Sequence, residues 1–190
     1  NLELVRCHLE GNSAHRGGHL MGRTASLYAE SSLLWDGNAD DRAGAIYQWD
    51  HTQGVYVNIT VGGNTSQTAN DRGGGLRAAN HSSATLTNVI FWGNSLPNFS
   101  HDHDSTITVS HAIVEGGFSG GTAVADLDPL FETLGTGQLQ AASPAVDAGD
   151  GDAAPLLDLT GASWYDDPAV TNRGVGAAPW VDLGCYERQP

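Results

Sequence analysis

Three arginines each stand one residue ahead of a step built from small residues: Arg16 before Gly17-Gly18-His19-Leu20, Arg42 before Ala43-Gly44-Ala45-Ile46, and Arg72 before Gly73-Gly74-Gly75-Leu76. Asp41 and Asp71 directly precede the second and third. Guanidinium groups stacked about 5 Å apart repel one another unless anions lie between them. Such a strip would suit the carboxylate or sulfate groups of an acidic polysaccharide, because the guanidinium fork matches planar anions. The plainer alternative is that the aspartates neutralise the column and the device only shapes a turn. Aromatic residues add a second candidate surface. With Ile46 inward, alternation places Tyr47 and Trp49 outward, with Met21 and Arg23 one coil below them. Trp92, in the column of Glu10, Asp36 and Gly62, is a further outward candidate. Outward aromatics stack on sugar rings, and Arg23 could cover Trp49 in a cation–π contact. Isolated surface aromatics also occur without any ligand.

Carboxylates and imidazoles supply two further constellations. Asp147, Asp150 and Asp152, with Asp158 nearby and Asp166-Asp167 further on, suit Ca²⁺, which takes six to eight oxygen ligands. The spacing is not that of a twelve-residue EF-hand loop, and Asp147 could equally cap a turn. His101-Asp102-His103-Asp104 precedes a strand expected at Thr106–Val109 and would put both imidazoles on one side. Two histidines could serve Zn²⁺, but the only third ligand in prospect is the remote His111, and a solvated loop is the simpler reading. Four Asn-X-Ser/Thr triplets begin at Asn58, Asn64, Asn80 and Asn98. Whether any carries sugar depends on the host.

These groups sit on a repeat. Gly-Asn recurs at Gly11-Asn12, Gly37-Asn38, Gly63-Asn64 and Gly93-Asn94, with successive asparagines 26, 26 and 30 residues apart. A unit of this length buries its apolar side only against copies of itself. Five residues before each Asn stand Cys7, Leu33, Ile59 and Val89, and three before stand Leu9, Trp35, Val61 and Phe91. Eight before stand Leu4, Glu30, Tyr56 and Leu86, one break in an apolar column. Short apolar spacings interrupted by Gly and Asn indicate strands and tight turns, and no run has helical periodicity over ten residues. The expected fold is all-β: a right-handed parallel β-helix of about four to five coils over 1–118, followed by an irregular C-terminal cap over 119–190. Like residues then stack at the ~4.8 Å strand spacing, and Asn58 and Asn88 fit a side-chain amide ladder. Twenty-five glycines in 190 residues supply the turns.

Charge and cysteine content narrow the partners. Eight Arg, no Lys and 22 acidic residues give a formal charge of −14, which lacks the basic footprint of a nucleic-acid binder. No signal peptide is visible, nor any apolar run long enough to span a membrane. Cys7 and Cys185 lie at opposite ends of the chain, and two buried free thiols are expected. Asn1-Leu2-Glu3-Leu4 already reads as strand, so the first coil would leave its edge open at Leu2 and Leu4. That edge invites stacking on a second copy, or on a longer β-helix of which this chain is part.

The last hundred residues carry a more specific pattern. Asn88-Val89-Ile90-Phe91-Trp92-Gly93-Asn94-Ser95 is followed by Ile113-Val114-Glu115-Gly116-Gly117, then by Asp128-Pro129-Leu130-Phe131. Ser143-Pro144-Ala145-Val146-Asp147-Ala148-Gly149 and Asp182-Leu183-Gly184-Cys185-Tyr186-Glu187 complete it. Over residues 84–187 the chain resembles bacterial extracellular right-handed β-helix proteins that end in a choice-of-anchor Q domain, related to the repeats of polymorphic outer membrane proteins. The resemblance implies that the C-terminal segment caps the β-helix and that the protein is extracellular or at the cell surface. It implies no uniform catalytic activity.

The expected function is therefore a non-enzymatic module for adhesion, surface display or self-assembly, through its faces and its open end. The alternative is a polysaccharide lyase or hydrolase acting on acidic glycans, or the C-terminal part of one, since this fold is common among such enzymes. A hydrolase needs paired carboxylates about 5–10 Å apart, and a lyase without Lys would have to use Arg as base. Asp41, Asp71, Arg42 and Arg72 could supply pieces of either.

Overall fold

The structure is a computed structural model that describes residues 1–67, 73–95, 97–177 and 179–189. Asp71 and Arg72 lie outside the described residues. The chain forms a parallel β-solenoid of about four turns. Its first coil consists of β1 (Leu2–Val5), β2 (His8–Glu10), β3 (Ser13–Arg16) and β4 (Leu20–Arg23). The second holds β5 (Ser26–Glu30), β6 (Leu33–Trp35), β7 (Asn38–Arg42) and β8 (Ile46–Trp49). The third holds β9 (Gln53–Val57), β10 (Thr60–Gly62), β11 (Thr65–Ser66) and β12 (Leu76–Ala79). A long β13 (Ser83–Trp92) and β14 (Phe99–His101) make the fourth, and β15 (Thr106–Val114) and β16 (Thr122–Ala125) close the stack. Every ladder between strands is parallel. Pairing thus runs past Phe118, into a strand of the segment expected to cap.

Corners are made by residues held in the left-handed region. One corner stacks Arg6, Ser31, Asn58, Asn88 and His111 at φ between 43° and 58°. There β13 bends, pairing with β9 before Asn88 and with β10 after it. Asparagine tolerates this conformation better than other side-chain-bearing residues, and two of the five positions use it.

The ladders correct the expected register of the second coil. Leu9 pairs with Leu34, not Trp35, and the column continues through Val61 to Phe91. In the same way Ala29, not Glu30, stands between Leu4 and Tyr56. The second coil is displaced by one residue against its Gly-Asn dipeptide. Asn38 pairs with Ser13 and Thr65, so Gly37 occupies the position of Asn12, Asn64 and Asn94. Asp36, at φ 55°, makes the turn that Gly11, Gly63 and Gly93 make elsewhere. With that shift the column of Leu4 has no break, but Ser32, not Leu33, stands between Cys7 and Ile59 in the third.

Inside the coils lies a core that includes Leu27, Leu34, Ile46, Tyr56, Val61, Leu76, Leu86 and Phe91, all buried. Outside them, the segment from Asp126 onward lies along one flank rather than only across an end. Phe131, Leu139, Val146 and Leu183 form a second cluster with Ile90 and Ile113, against which Trp35 and Trp92 pack. This flank cover reaches down the stack: Ser31 Oγ donates to Leu157 O at 2.7 Å, and the Cys185 N–H donates to Thr60 Oγ1 at 3.1 Å. Both cysteines are free, Cys185 buried and Cys7 only half-buried. Burial pushes the Cys185 thiol up to about 12.

Candidate functional site

The two described arginines of the strip share an acidic partner from the protein itself. Arg16 and Arg42 are in register on β3 and β7. Asp41 Oδ2 lies 2.8 Å from Arg16 Nε and 3.3 Å from Arg42 Nε, so the anion between the two cations is the protein's own. Arg42 Nη1 also donates to the Tyr47 hydroxyl at 3.3 Å. Tyr47 is not the open platform the alternation implies. It does point away from the core, but it is fully buried in a satellite cluster with Ala43 and Ala79, packed by Trp49. Its ring stacks on Trp49 at 6.1 Å and 24°. An outward side chain flanked by an aromatic two residues on and by a guanidinium is covered by them, which alternation alone does not register. Trp49 is half-exposed, and Arg23 pairs with Asp50 (3.3 Å). Trp92 pairs in register with Gly62 and, through it, with Trp35 and Glu10, and it is half-buried under the flank cover.

A polar ladder runs beside the first core and was only partly legible. Asn94 Oδ1 accepts from the Asn64 amide at 2.8 Å and from the Asn64 backbone at 2.9 Å, while Asn94 Nδ2 donates to Asn98 Oδ1 at 2.8 Å. Gly37 breaks the series, and His19 fills the break. Its Nε2 lies 2.9 Å from Asn64 Oδ1 and its Nδ1 lies 3.0 Å from Asn12 Nδ2. A neutral imidazole protonated on Nε2 satisfies both ends, and burial lowers the His19 pKa. A side chain at Gly37 would put its Cβ 2.6 Å from that imidazole. The signal in sequence was the pair of departures, Glu30 in an apolar column and His19 inside a glycine step.

The expected ladder of Asn58 and Asn88 is present and does more than stack. Asn88 Nδ2 donates to Asn58 Oδ1 (3.0 Å) and to Asp150 O (2.9 Å), and Asn88 Oδ1 accepts from the Asp150 N–H (2.7 Å). Asn58 Nδ2 donates to Asp182 O and Gly184 O. Both amides therefore tie the flank cover to the coils. Three of the four triplet asparagines, Asn58, Asn64 and Asn98, are buried with their amides engaged, which leaves no room for sugar in the folded chain.

The cover is acidic inside. Asp147, Asp158, Asp167, Asp182 and Glu187 are all buried. Asp158 Oδ1 caps a turn by accepting from the N–H groups of Thr160 and Ala162 at 2.8 Å each, and Asp158 Oδ2 accepts from the Glu187 N–H at 3.1 Å. Asp182 accepts from the N–H groups of Asp147 (2.9 Å) and Arg188 (2.8 Å), and Glu187 from those of Tyr165 and Asp182 (3.1 Å each). Burial raises the pKa of Asp182 and Glu187, with repulsion from Asp147 adding to it at Asp182 and repulsion from Asp182 at Glu187. The expected calcium triad divides. Asp150 Oδ1 accepts from the Asp152 N–H (3.0 Å) and Asp152 Oδ1 from the Ala177 N–H (3.0 Å), both as turn caps, while Asp147 is fully buried. Among the described residues, no three His, Cys, Asp or Glu side chains converge as a metal cage. His101 ends β14 and His103 lies in the loop that leads into β15; both are exposed, the latter beside Asp104 at 3.1 Å.

The two ends of the solenoid differ. Among the described residues β1, β2, β3 and β4 each pair only with the coil above. Leu2 and Val5 are about two-fifths exposed there (42% and 40%), and Leu4 and Leu9 are only partly covered. At the far end Phe118 and Val124 pack against the core, and Phe118 meets Phe99 edge-on at 5.3 Å. Beside the open edge a groove of about 410 Å³ is lined by Leu2, Glu3, Tyr28, Glu30, Gln53 and Val55. The Tyr28 hydroxyl donates to Glu30 Oε2 at 2.5 Å, and its pKa is pushed up to about 12, by burial first and then by that carboxylate. No described helix is long and apolar enough to cross a membrane. No family model, curated protein or solved structure matches this chain.

Proposed function

We propose that this protein is a non-enzymatic β-solenoid module of the cell surface or extracellular space, serving adhesion, surface display or self-assembly, and that it engages its partner through the first-coil edge. The observation that carries the reading is the apolar edge of the first coil, where Leu2 and Val5 are exposed and Leu4 and Leu9 are only partly covered. A free parallel edge offers a row of unpaired N–H and C=O groups, and another strand edge is the partner that matches it. A second copy of the chain, first coil against first coil, supplies such an edge. The resemblance of residues 84–187 to surface β-helix proteins supports the location. At a formal charge of −14 each, two copies repel, so pairing tightens as salt screens the charge.

Sedimentation velocity tests this between about 1 and 100 μM, across the usual affinity range of transient pairs. A concentration-dependent dimer is expected, converted to monomer by Leu2→Asp with circular dichroism unchanged. A wild-type monomer throughout that range refutes the paired edge. A second reading, a lyase or hydrolase of acidic glycans, draws on the groove in which Glu3 and Glu30 flank Tyr28. Release of unsaturated products or reducing ends from polygalacturonate or alginate, lost in Glu30→Gln, would favour it instead. A glycan array tests the sugar-binding version at Trp49 and Trp92.

A further inference from the structure

The layer between coils and cover is not filled evenly. On the outer surface of the sheet Thr60, Ile90 and Ile113 stack in register, and the next rung is Ala125. Val124 packs into the core, and Ala125 is what β16 sets against the cover. An alanine where isoleucines stand below leaves a pocket of about 340 Å³, lined by Ile113, Ala125, Leu127, Ala142, Pro144 and Leu183 among others. Leu127 is 53% exposed, so the space opens to solvent. Among the described lining residues Arg173 alone carries charge, although the chain holds 22 acidic residues. Arg16, Arg23, Arg42 and Arg188 each face a carboxylate at 3.3 Å or less. Arg173 has no such partner among the described residues, and its Nη1 reaches Pro144 O at 3.5 Å. Its backbone is fixed, because the N–H groups of Arg173 and Gly174 both donate to Asp147 O, at 2.8 and 2.9 Å. A guanidinium is thus held at an apolar pocket with most of its donors unused.

We infer that this pocket binds an aliphatic monocarboxylate, its chain over Ala125 and its carboxylate on the Arg173 guanidinium. The guanidinium fork matches a planar carboxylate. An apolar lining with one placed polar group, at the lower end of the usual range of about 300–1,000 Å³, is the composition of a small-molecule site. Charge selects the head group, since a neutral chain leaves the cation unpaired and a cationic one is repelled. The lining selects the body. Arg173 is its one polar side chain, so the hydroxyls of a sugar would lose water without gaining partners. The pocket lies at the β16 end of the stack, away from the first coil, and does not depend on pairing.

Calorimetric titration with sodium octanoate should show one site with a Kd of about 10 μM–1 mM. Octanol, the uncharged chain of the same length, should bind more weakly. Arg173→Gln should weaken octanoate by about ten- to a hundred-fold and leave octanol unchanged, which separates recognition of charge from loss of the pocket. Ala125→Leu, which fills the short rung, should abolish binding of both. Should that variant fail to fold, Ala142→Trp on the exposed wall takes its place and should have the same effect. No octanoate binding by wild type up to about 5 mM overturns the proposal. So does an Arg173→Gln protein that binds octanoate like wild type. An acetylated tripeptide with a free C-terminal leucine that binds more tightly than octanoate also overturns it, and makes the pocket a site for a peptide C-terminus.

Discussion

His19 stands where the asparagine ladder lacks a member, and its protonation state decides whether the ladder is continuous. The imidazole accepts from Asn12 through Nδ1, and a second proton on that nitrogen would remove the acceptor. Its pKa is lowered by burial from the ordinary value near 6.5. A histidine that binds its proton less well folded than unfolded gives stability that is complete above that value and falls as pH drops below it. Between pH 7.5 and 5.5 the urea midpoint of wild type should therefore fall relative to that of His19→Gln. Asn88 carries a heavier structural role. Replacement by alanine leaves Asp150 N–H and O without their partner and puts a methyl-bearing residue at φ 58°. A cost of about 2–4 kcal/mol is expected from denaturant unfolding.

At the scale of elements, the sheet that includes β6, β10 and the second half of β13 is buried on both faces. Up to Thr87, β13 alternates between covered and open residues, and from Asn88 to Phe91 it is buried without interruption. The change marks where the flank cover begins to lie on the outer surface, as in sheets sandwiched between two layers. Trp35 belongs to that outer layer. Its indole lies across Gly62, and a Cβ at Gly62 would overlap the ring, while Phe131 meets the indole edge-on at 5.9 Å. Gly62→Ala should cost about 1–3 kcal/mol, the usual range for overpacking, and shift the tryptophan emission as the ring leaves its seat. The arginine strip works at the same scale. Asp41 holds Arg16 and Arg42 together, and because both guanidinium groups are partly exposed the pairs contribute modestly to stability.

For the whole molecule, coils and cover respond to pH differently. Asp147, Asp182 and Glu187 have raised pKa values, chiefly through burial. An acid that holds its proton more tightly folded than unfolded contributes stability that is present below its unfolded pKa, about 4, and is lost as pH rises through the folded value. The cover should loosen from mildly acid pH through neutrality and beyond, opposite in sign to the effect of His19. Hydrogen exchange or limited proteolysis at pH 5 and pH 9 should show earlier opening of residues 127–177 at the higher pH, with residues 26–67 unchanged. Equal protection of the cover at both values would contradict the assignment.

The solenoid was legible because its physics is local and repeated. Small and left-handed residues mark corners, apolar residues fall in columns, and Asn58 and Asn88 are spaced for a ladder that the structure contains. The closing segment was legible only as an ordered set of phrases, without the surface it covers. Tertiary structure alone settled the register of the second coil, where Leu34 and Gly37, not Trp35 and Asn38, are the stacked residues. It also buried Tyr47 and Asp147 and gave Asp41 to two arginines. The reason is common to all of these. A repeat states which residues share a column, whereas burial and charge pairing depend on what another stretch of chain, distant in sequence, lays against that column.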